Sequence, residues 1–313
     1  MFRLPLALAI ASAAFAAAPL YRIDGRFTPA SPARVFLHGV GNSLARETVT
    51  LVPGQFHFKN VPAGSYTLLV YVRGGRAASR TIDVGPATGG KGRRVALTLN
   101  FSPSDFVADA VDSPYVASVA QLAIPAKALR EYENAQKDLA KPNVDSAVKR
   151  LERAVEMAPQ FAAAWNNLGT IAYHRRNFER AEECFRKALA ADPQAFDPLV
   201  NLGGVLLVTG KLDAAIDANV HAVAARPNDA LAQSQLGMSY FQAGNLDLAV
   251  KHLERARQID PGHFSSPQLP LAEIHLRRGE KRQAADVLED FLKHHPDYAE
   301  AAKMREAIVK LRQ

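Results

Sequence analysis

Two rhythms of apolar and polar positions divide the chain. Between residues 20 and 100 they alternate with a period of two in short runs. The runs are Tyr21–Ile23, Arg34–Leu37, Thr48–Leu51, Gln55–Phe58, Tyr66–Val72, Thr81–Val84 and Arg94–Leu99, which predict about seven strands. Pro53-Gly54, Pro62-Ala63-Gly64, Gly74-Gly75 and the stretch from Gly85 to Gly90 supply the turns between them. Several short strands at this spacing predict a small all-β sandwich. After residue 126 the beat lengthens to about 34 residues.

That longer beat is carried by several residue types in phase. Pro159, Pro193, Pro227, Pro261 and Pro296 recur at intervals of 34, 34, 34 and 35. Leu168-Gly169, Leu202-Gly203 and Leu236-Gly237 repeat at 34, with Leu271-Ala272 following after 35; Ala147, Ala181, Ala215, Ala249 and Ala284 keep the same time. Over 162–195, Trp165, Leu168, Gly169, Ala181, Phe185, Ala188 and Pro193 stand where the tetratricopeptide repeat places them, so the region is identified as a member of that family. The resemblance implies a helix-turn-helix α-solenoid, a right-handed superhelix. Gly169 and Ala181 allow close helix approach, Asn177 supplies the turn and Pro193 ends the second helix. Five repeats are assigned within 127–298: 128–161, 162–195, 196–229, 230–263 and 265–298. The first is degenerate, with Ala135 at the glycine position and Pro142 in its turn; the last has a one-residue insertion and a short first helix after Pro267 and Pro270. Residues 299–313 read as a solvating cap helix.

The segment Gly54-Gln55-Phe56-His57-Phe58-Lys59-Asn60-Val61-Pro62-Ala63-Gly64-Ser65-Tyr66-Thr67-Leu68 resembles a signature of the carboxypeptidase-regulatory-like, prealbumin-like β-sandwich. It places Phe56 and Phe58 in the core, sets a tight turn at Pro62 and Gly64, and returns to the core with Tyr66 and Leu68 on the partner strand. The resemblance implies an accessory module spanning 17–100. Residues 101–126 read as a linker, broken by Ser102, Pro103, Ser104, Ser113, Pro114 and Pro125. Its Phe101, Phe106, Val111, Tyr115, Val119 and Leu122 are expected to pack on their neighbours.

Charge sharpens the division. The net charge of +7 at pH 7 first points to nucleic acid. Residues 17–100 carry eleven Lys/Arg against three Asp/Glu, whereas 101–313 carry 26 against 28, so the basic excess belongs to the β-domain. Arg73, Arg76, Arg80, Lys91, Arg93 and Arg94 gather around two glycine-rich turns, as an anion-binding rim for acidic polysaccharide or a membrane surface would. A solvated hairpin surface is the favoured reading. Nucleic acid is an unlikely partner, because no stacking aromatic motif accompanies the charge.

At the N-terminus, Met1-Phe2-Arg3 precedes an apolar, Ala-rich stretch to Phe15, and Ala14-Phe15-Ala16 offers small residues for cleavage after Ala16. This predicts a signal peptide over 1–16 and an exported protein of the bacterial periplasm or cell surface. Retention as an anchor is the alternative, disfavoured by the length of the stretch. With no cysteine near the cut, lipidation is not expected. Cys184 is the lone thiol and rules out an intramolecular disulfide; it reads as inert or surface-exposed.

No metal-binding, phosphate-cradling or nucleophile-elbow motif stands out, so no cofactor, metal or catalytic role is expected. His294-His295 and the carboxylates of Glu182 and Glu183 read as surface residues. What remains is the groove that the repeat resemblance implies along the first helices. It is lined by Asn166, Asn167, Thr170, Tyr173 and His174, then Asn201, Gly204, Leu207 and Val208, then Gln235, Met238, Phe241 and Gln242. Asn167, Asn201 and Gln235 form an amide ladder, each with donor and acceptor capacity; in some proteins of the family such a ladder grips an extended peptide, though asparagine is also simply common there. The basic pair of carboxylate-clamp members is missing, so an apolar segment suits the groove better than an acidic tail. The expectation is an exported, non-catalytic scaffold binding a peptide or protein segment. The alternatives are a polyanion-binding module acting through the basic β-domain, or an accessory subunit of an unrecognised enzyme. Homo-oligomerisation is left open.

Overall fold

The computed structural model describes residues 19–39, 45–50, 52–72, 76–102, 105–108, 124–139 and 143–313. The predicted signal segment lies outside them, as do Arg73, Val111, Tyr115, Val119 and Leu122. No helix among the described residues is long and apolar enough to cross a membrane.

Among the described residues, eight strands precede eleven α-helices. The strands are β1 (Leu20–Thr28), β2 (Ala33–Gly39), β3 (Ala45–Val49), β4 (Gln55–Pro62), β5 (Gly64–Val72), β6 (Arg76–Val84), β7 (Arg94–Asn100) and β8 (Val107–Ala108). They form two sheets, β4-β1-β7 and β3-β2-β5-β6-β8. All described pairs are antiparallel except β1 with β7. Alternation does what period two requires: Ile23, Phe27, Phe56 and Phe58 from one sheet meet Val35, Leu37, Tyr66, Leu68 and Val70 from the other in one buried core.

The 54–68 signature has its aromatic residues where expected, but its turn does different work. Strand β4 lies in one sheet and β5 in the other, so Pro62 to Gly64 is a corner between sheets and no hairpin links them. The buried Tyr66 donates its hydroxyl to the Pro62 carbonyl at 2.8 Å, tying that corner. The eighth strand lies in the stretch read as linker: Phe101 and Phe106 are buried in the sandwich core, and Ala108 and Val107 pair with Arg76 and Ala77.

The helices are α1 (Ala126–Leu139), α2 (Val144–Met157), α3 (Ala162–His174), α4 (Phe178–Ala191), α5 (Phe196–Val208), α6 (Leu212–Ala225), α7 (Ala230–Gln242), α8 (Leu246–Ile259), α9 (Gln268–Arg277), α10 (Lys281–His294) and α11 (Ala301–Leu311). Successive pairs stack as a tetratricopeptide-like solenoid. Helix α9 has ten residues against thirteen in α3, α5 and α7.

Three devices recur at the repeat period. A Cβ at Gly169 would lie 2.5 Å from the Phe185 ring, and one at Gly237 2.6 Å from Leu253, so glycine sets how closely the paired helices approach. At the start of repeats, Trp165 Nε1 donates to the Pro159 carbonyl at 2.9 Å, Gln233 Nε2 to Pro227 at 2.8 Å and Gln268 Nε2 to Pro261 at 2.6 Å. Each satisfies a carbonyl near the end of the preceding repeat. The turn within each of the second to fifth repeats passes through a left-handed residue: Arg176 (φ 60°), Gly210 (φ 74°), Gly244 (φ 81°) and Gly279 (φ 76°).

Asn177, read from sequence as the turn residue, is instead the N-cap of α4, accepting from the Arg180 backbone N–H at 3.1 Å. Arginine is the one side-chain-bearing residue among these four left-handed positions, where a Cβ is disfavoured. Arg176→Gly is therefore expected to stabilise the chain by about 0.5–1 kcal/mol, measured as a rise in the urea midpoint. A lower midpoint would show that the Arg176 side chain offsets its backbone strain.

Candidate functional site: the recessed helix face

The first helices of the repeats, α3, α5 and α7, present their exposed stripe to one face. His174, Val208 and Gln242 occupy equivalent repeat positions there, and all three are exposed. His174 is exposed, and desolvation by the surrounding protein lowers its pKa below the usual histidine value. Tyr173 is half-buried against Phe178, with ring centroids 5.6 Å apart, and burial raises its phenol. Leu207 and Met238 are half-buried and Val208 is 48% exposed, which leaves apolar surface along the stripe. Among the described residues, no group of three or more His, Cys, Asp or Glu is arranged to hold a metal ion.

The amide ladder exists, but its donors point sideways. Asn201 Nδ2 donates to Asn166 Oδ1 at 2.9 Å, and Asn167 Nδ2 reaches the Tyr132 hydroxyl at 3.4 Å. In both cases an amide of one repeat is spent on the repeat before it. Val200 stands where Asn166 and Tyr132 would be one repeat later, so Gln235 lacks that partner; it lies over Gly204, and its Oε1 is buried without a hydrogen bond. Thr170 bonds the Asn166 carbonyl of its own helix at 3.0 Å. The ladder thus ties neighbouring first helices together.

Phe241 leaves the set. It is 7% exposed, packed among Leu253, Leu271 and Ile274, with Arg277 over its ring at 4.7 Å. Its repeat position is half-turned toward the second helix, and the bulkiest apolar side chain at that position goes into the core.

The basic residues of the β-domain separate. Lys91 and Arg93 are exposed on a short 3-10 turn. Arg94 is exposed and pairs with Asp24. Arg76 begins β6. Arg80 is engaged elsewhere: its guanidinium pairs with Asp105 at 3.0 Å, donates to the Ile259 carbonyl at 2.8 Å and covers the Phe101 ring.

Two residues read as surface groups, Glu182 and His295, are covered, and Cys184, read as inert or surface-exposed, is buried. Glu182 is buried because Lys211 reaches across from the following repeat, 2.8 Å away, and Arg186 closes over it. Burial pushes its carboxyl up, but the two cations together hold it below the usual range. Cys184 is buried, and burial raises its thiol, which suits an inert group. His295 is sheltered against Asp83 of the β-domain.

Comparison with known proteins places the helical region. Models described as tetratricopeptide repeat match residues 132–196, 175–219 and 201–264, and a further one matches 240–308. A solved structure, MamA (residues 41 to end) from Desulfovibrio magneticus RS-1, superposes with a TM-score of 0.51 at 21% identity, covering 56% of this chain and 99% of that one. A tetratricopeptide repeat protein from Parabacteroides merdae gives 0.51 at 17% identity, covering 60% and 74%. The BBSome complex member BBS4 homolog of Drosophila melanogaster is 23% identical over 132 residues, which span 42% of this chain and 27% of that protein. At these identities the likeness is one of fold.

Proposed function

Since residues 132–308 make this chain a member of the tetratricopeptide repeat family, whose proteins are protein-interaction scaffolds, we propose that it is an exported, non-catalytic scaffold holding a segment of a partner protein along the recessed face. One observation carries the reading: Tyr173, Leu207, Val208 and Met238 leave part-exposed apolar surface along the first-helix face. Apolar surface along such a face is what an extended or helical segment with apolar anchors buries. With the donors of Asn167 and Asn201 committed to neighbouring helices, affinity comes from side-chain burial more than from a grip on the ligand backbone. The β-sandwich, of carboxypeptidase-regulatory-like type by its 54–68 signature, serves as an accessory module that orients the solenoid. Export rests on the signal pattern of residues 1–16 and predicts a mature chain beginning at Ala17, readable as an intact mass.

The test places a photo-crosslinking residue at Val208 in the recess or at Val220, exposed on α6, in living cells. Partners captured from position 208 and absent from 220 are expected, with capture through a second recess position, Gln242, reduced at least tenfold by Val208→Asp. Identical capture from 208 and 220, or capture indifferent to Val208→Asp, would sink the recess as the binding face. Polyanion binding lost on Lys91→Ala/Arg93→Ala, with recess variants neutral, would instead select the β-domain as the binding element.

A further inference from the structure

The β-sandwich is clasped to the end of the solenoid. Among the described residues, β6 pairs with β8 over two residues only, and the rest of that edge is a row of backbone groups that needs covering. The loop after α8 covers it. Asp260, 4% exposed, accepts from the Thr81 backbone N–H at 2.8 Å, while Arg80 donates to the Ile259 carbonyl at 2.8 Å and is braced by Asp105. The loop after α10 adds His295, whose Nδ1 lies 3.5 Å from Asp83 Oδ2, and Asp297, which accepts from the Ala87 N–H at 3.4 Å. The turn that carries Asp260 also holds His263, buried, its backbone N–H donating to the Asp260 carbonyl at 3.0 Å, its Nδ1 2.7 Å from the Ser265 hydroxyl and its ring against Phe264.

We propose that this contact is a protonation-sensitive latch: acid, acting at His263, releases the β-sandwich from the last two repeats, and Asp260 opposes the release. The geometry supplies the motive. A proton on His263 has no carboxylate bonded to the ring to receive it, and the neighbouring His295 adds charge of the same sign. The charged groups around the contact are Arg80 and Asp83 on β6, Asp105 beside Arg80, Arg257 and Glu254 on α8, Asp290 and His294 on α10, and His295 and Asp297 after it.

Two titrations act with opposite signs. Burial, with a smaller contribution from His295, pushes His263 down to about 3. A histidine depressed in the docked state favours docking fully above its open-state value of about 6.5, and that preference is lost as pH falls toward 3. Burial pushes the Asp260 carboxyl up, against the bonds from Thr81 and the charge of Arg80. A carboxyl raised in the docked state favours docking in acid, and that preference is lost as pH rises through its raised value. The latch holds whether or not the recess binds a segment.

The test is a distance measurement between spin labels at Thr98→Cys and Lys303→Cys, both exposed, in the full chain with Cys184→Ala. At pH 8 one narrow distribution is expected. In Asp260→Asn, which keeps an acceptor for Thr81, the docked-to-open ratio should fall about tenfold per pH unit from about 6.5 toward 3. When Asp260→Asn is combined with His263→Gln or with His263→Phe, the acid-induced long component should vanish while far-ultraviolet circular dichroism keeps its helical signal. A narrow distribution at pH 4.5 in Asp260→Asn, an acid component unchanged in both His263 variants, or a broad distribution already at pH 8 would overturn the proposal.

Discussion

Truncating Phe185 to alanine is expected to cost about 3–5 kcal/mol, the range for removing a large buried aromatic side chain. The ring is 1% exposed and fills the space that Gly169 leaves open on the facing helix. It packs with Ala181, Leu202, Leu206 and Ala215, which come from two repeats. Its loss therefore opens a cavity between repeats as well as within one. A solenoid is stabilised by its nearest-neighbour interfaces, so the loss should appear as a large drop in the urea midpoint, with the helical signal decaying before the β-sandwich unfolds. A change below about 1 kcal/mol would mean that the surrounding helices collapse onto the cavity.

The equivalent position one repeat later is expected to respond in the opposite direction. Phe185, Asn219 and Leu253 stand 34 residues apart and face Gly169, Gly203 and Gly237. Asn219 is 0% exposed; its Nδ2 donates to Ser239 Oγ at 3.0 Å, but its Oδ1 is buried with no partner. A buried, unpaired amide oxygen costs about 1–3 kcal/mol. Asn219→Leu removes it and restores the side chain that its neighbour repeat already packs over glycine. Ser239 is not stranded by the change, because its hydroxyl also bonds the Gln235 carbonyl at 2.9 Å. A gain of about 1–3 kcal/mol is expected, read as a higher urea midpoint, and a lower midpoint would show that the Asn219–Ser239 bond outweighs the orphaned oxygen.

These two residues show what repeat phase reveals and what it hides. The period, the paired glycines and the terminating prolines were legible because each is a local rule obeyed several times in step. Gly210, Gly244 and Gly279 carry the same signal for the left-handed turn, but Arg176 breaks that series in the second repeat, one residue before Asn177. The recess residues were legible as a stripe, since helical phase alone assigns a face. Phe241 was misplaced because phase cannot tell a half-turned position that faces solvent from one that faces core. The ladder amides were legible as a row, but their hydrogen bonds run between repeats, and that depends on how far one helix shifts against the next.

The sequence by itself determined the two architectures, because alternation by two and recurrence by 34 are properties of neighbours along the chain. Only the tertiary structure decided how Pro62 to Gly64 joins the sheets, that Arg80 belongs to an interface, and that Asp260, His295 and Asp297 meet the β-domain. Those contacts join residues up to 212 positions apart, as between Asp83 and His295. No periodicity spans such a distance. They follow from which edges the folded domains leave open and which charges are near enough to cover them.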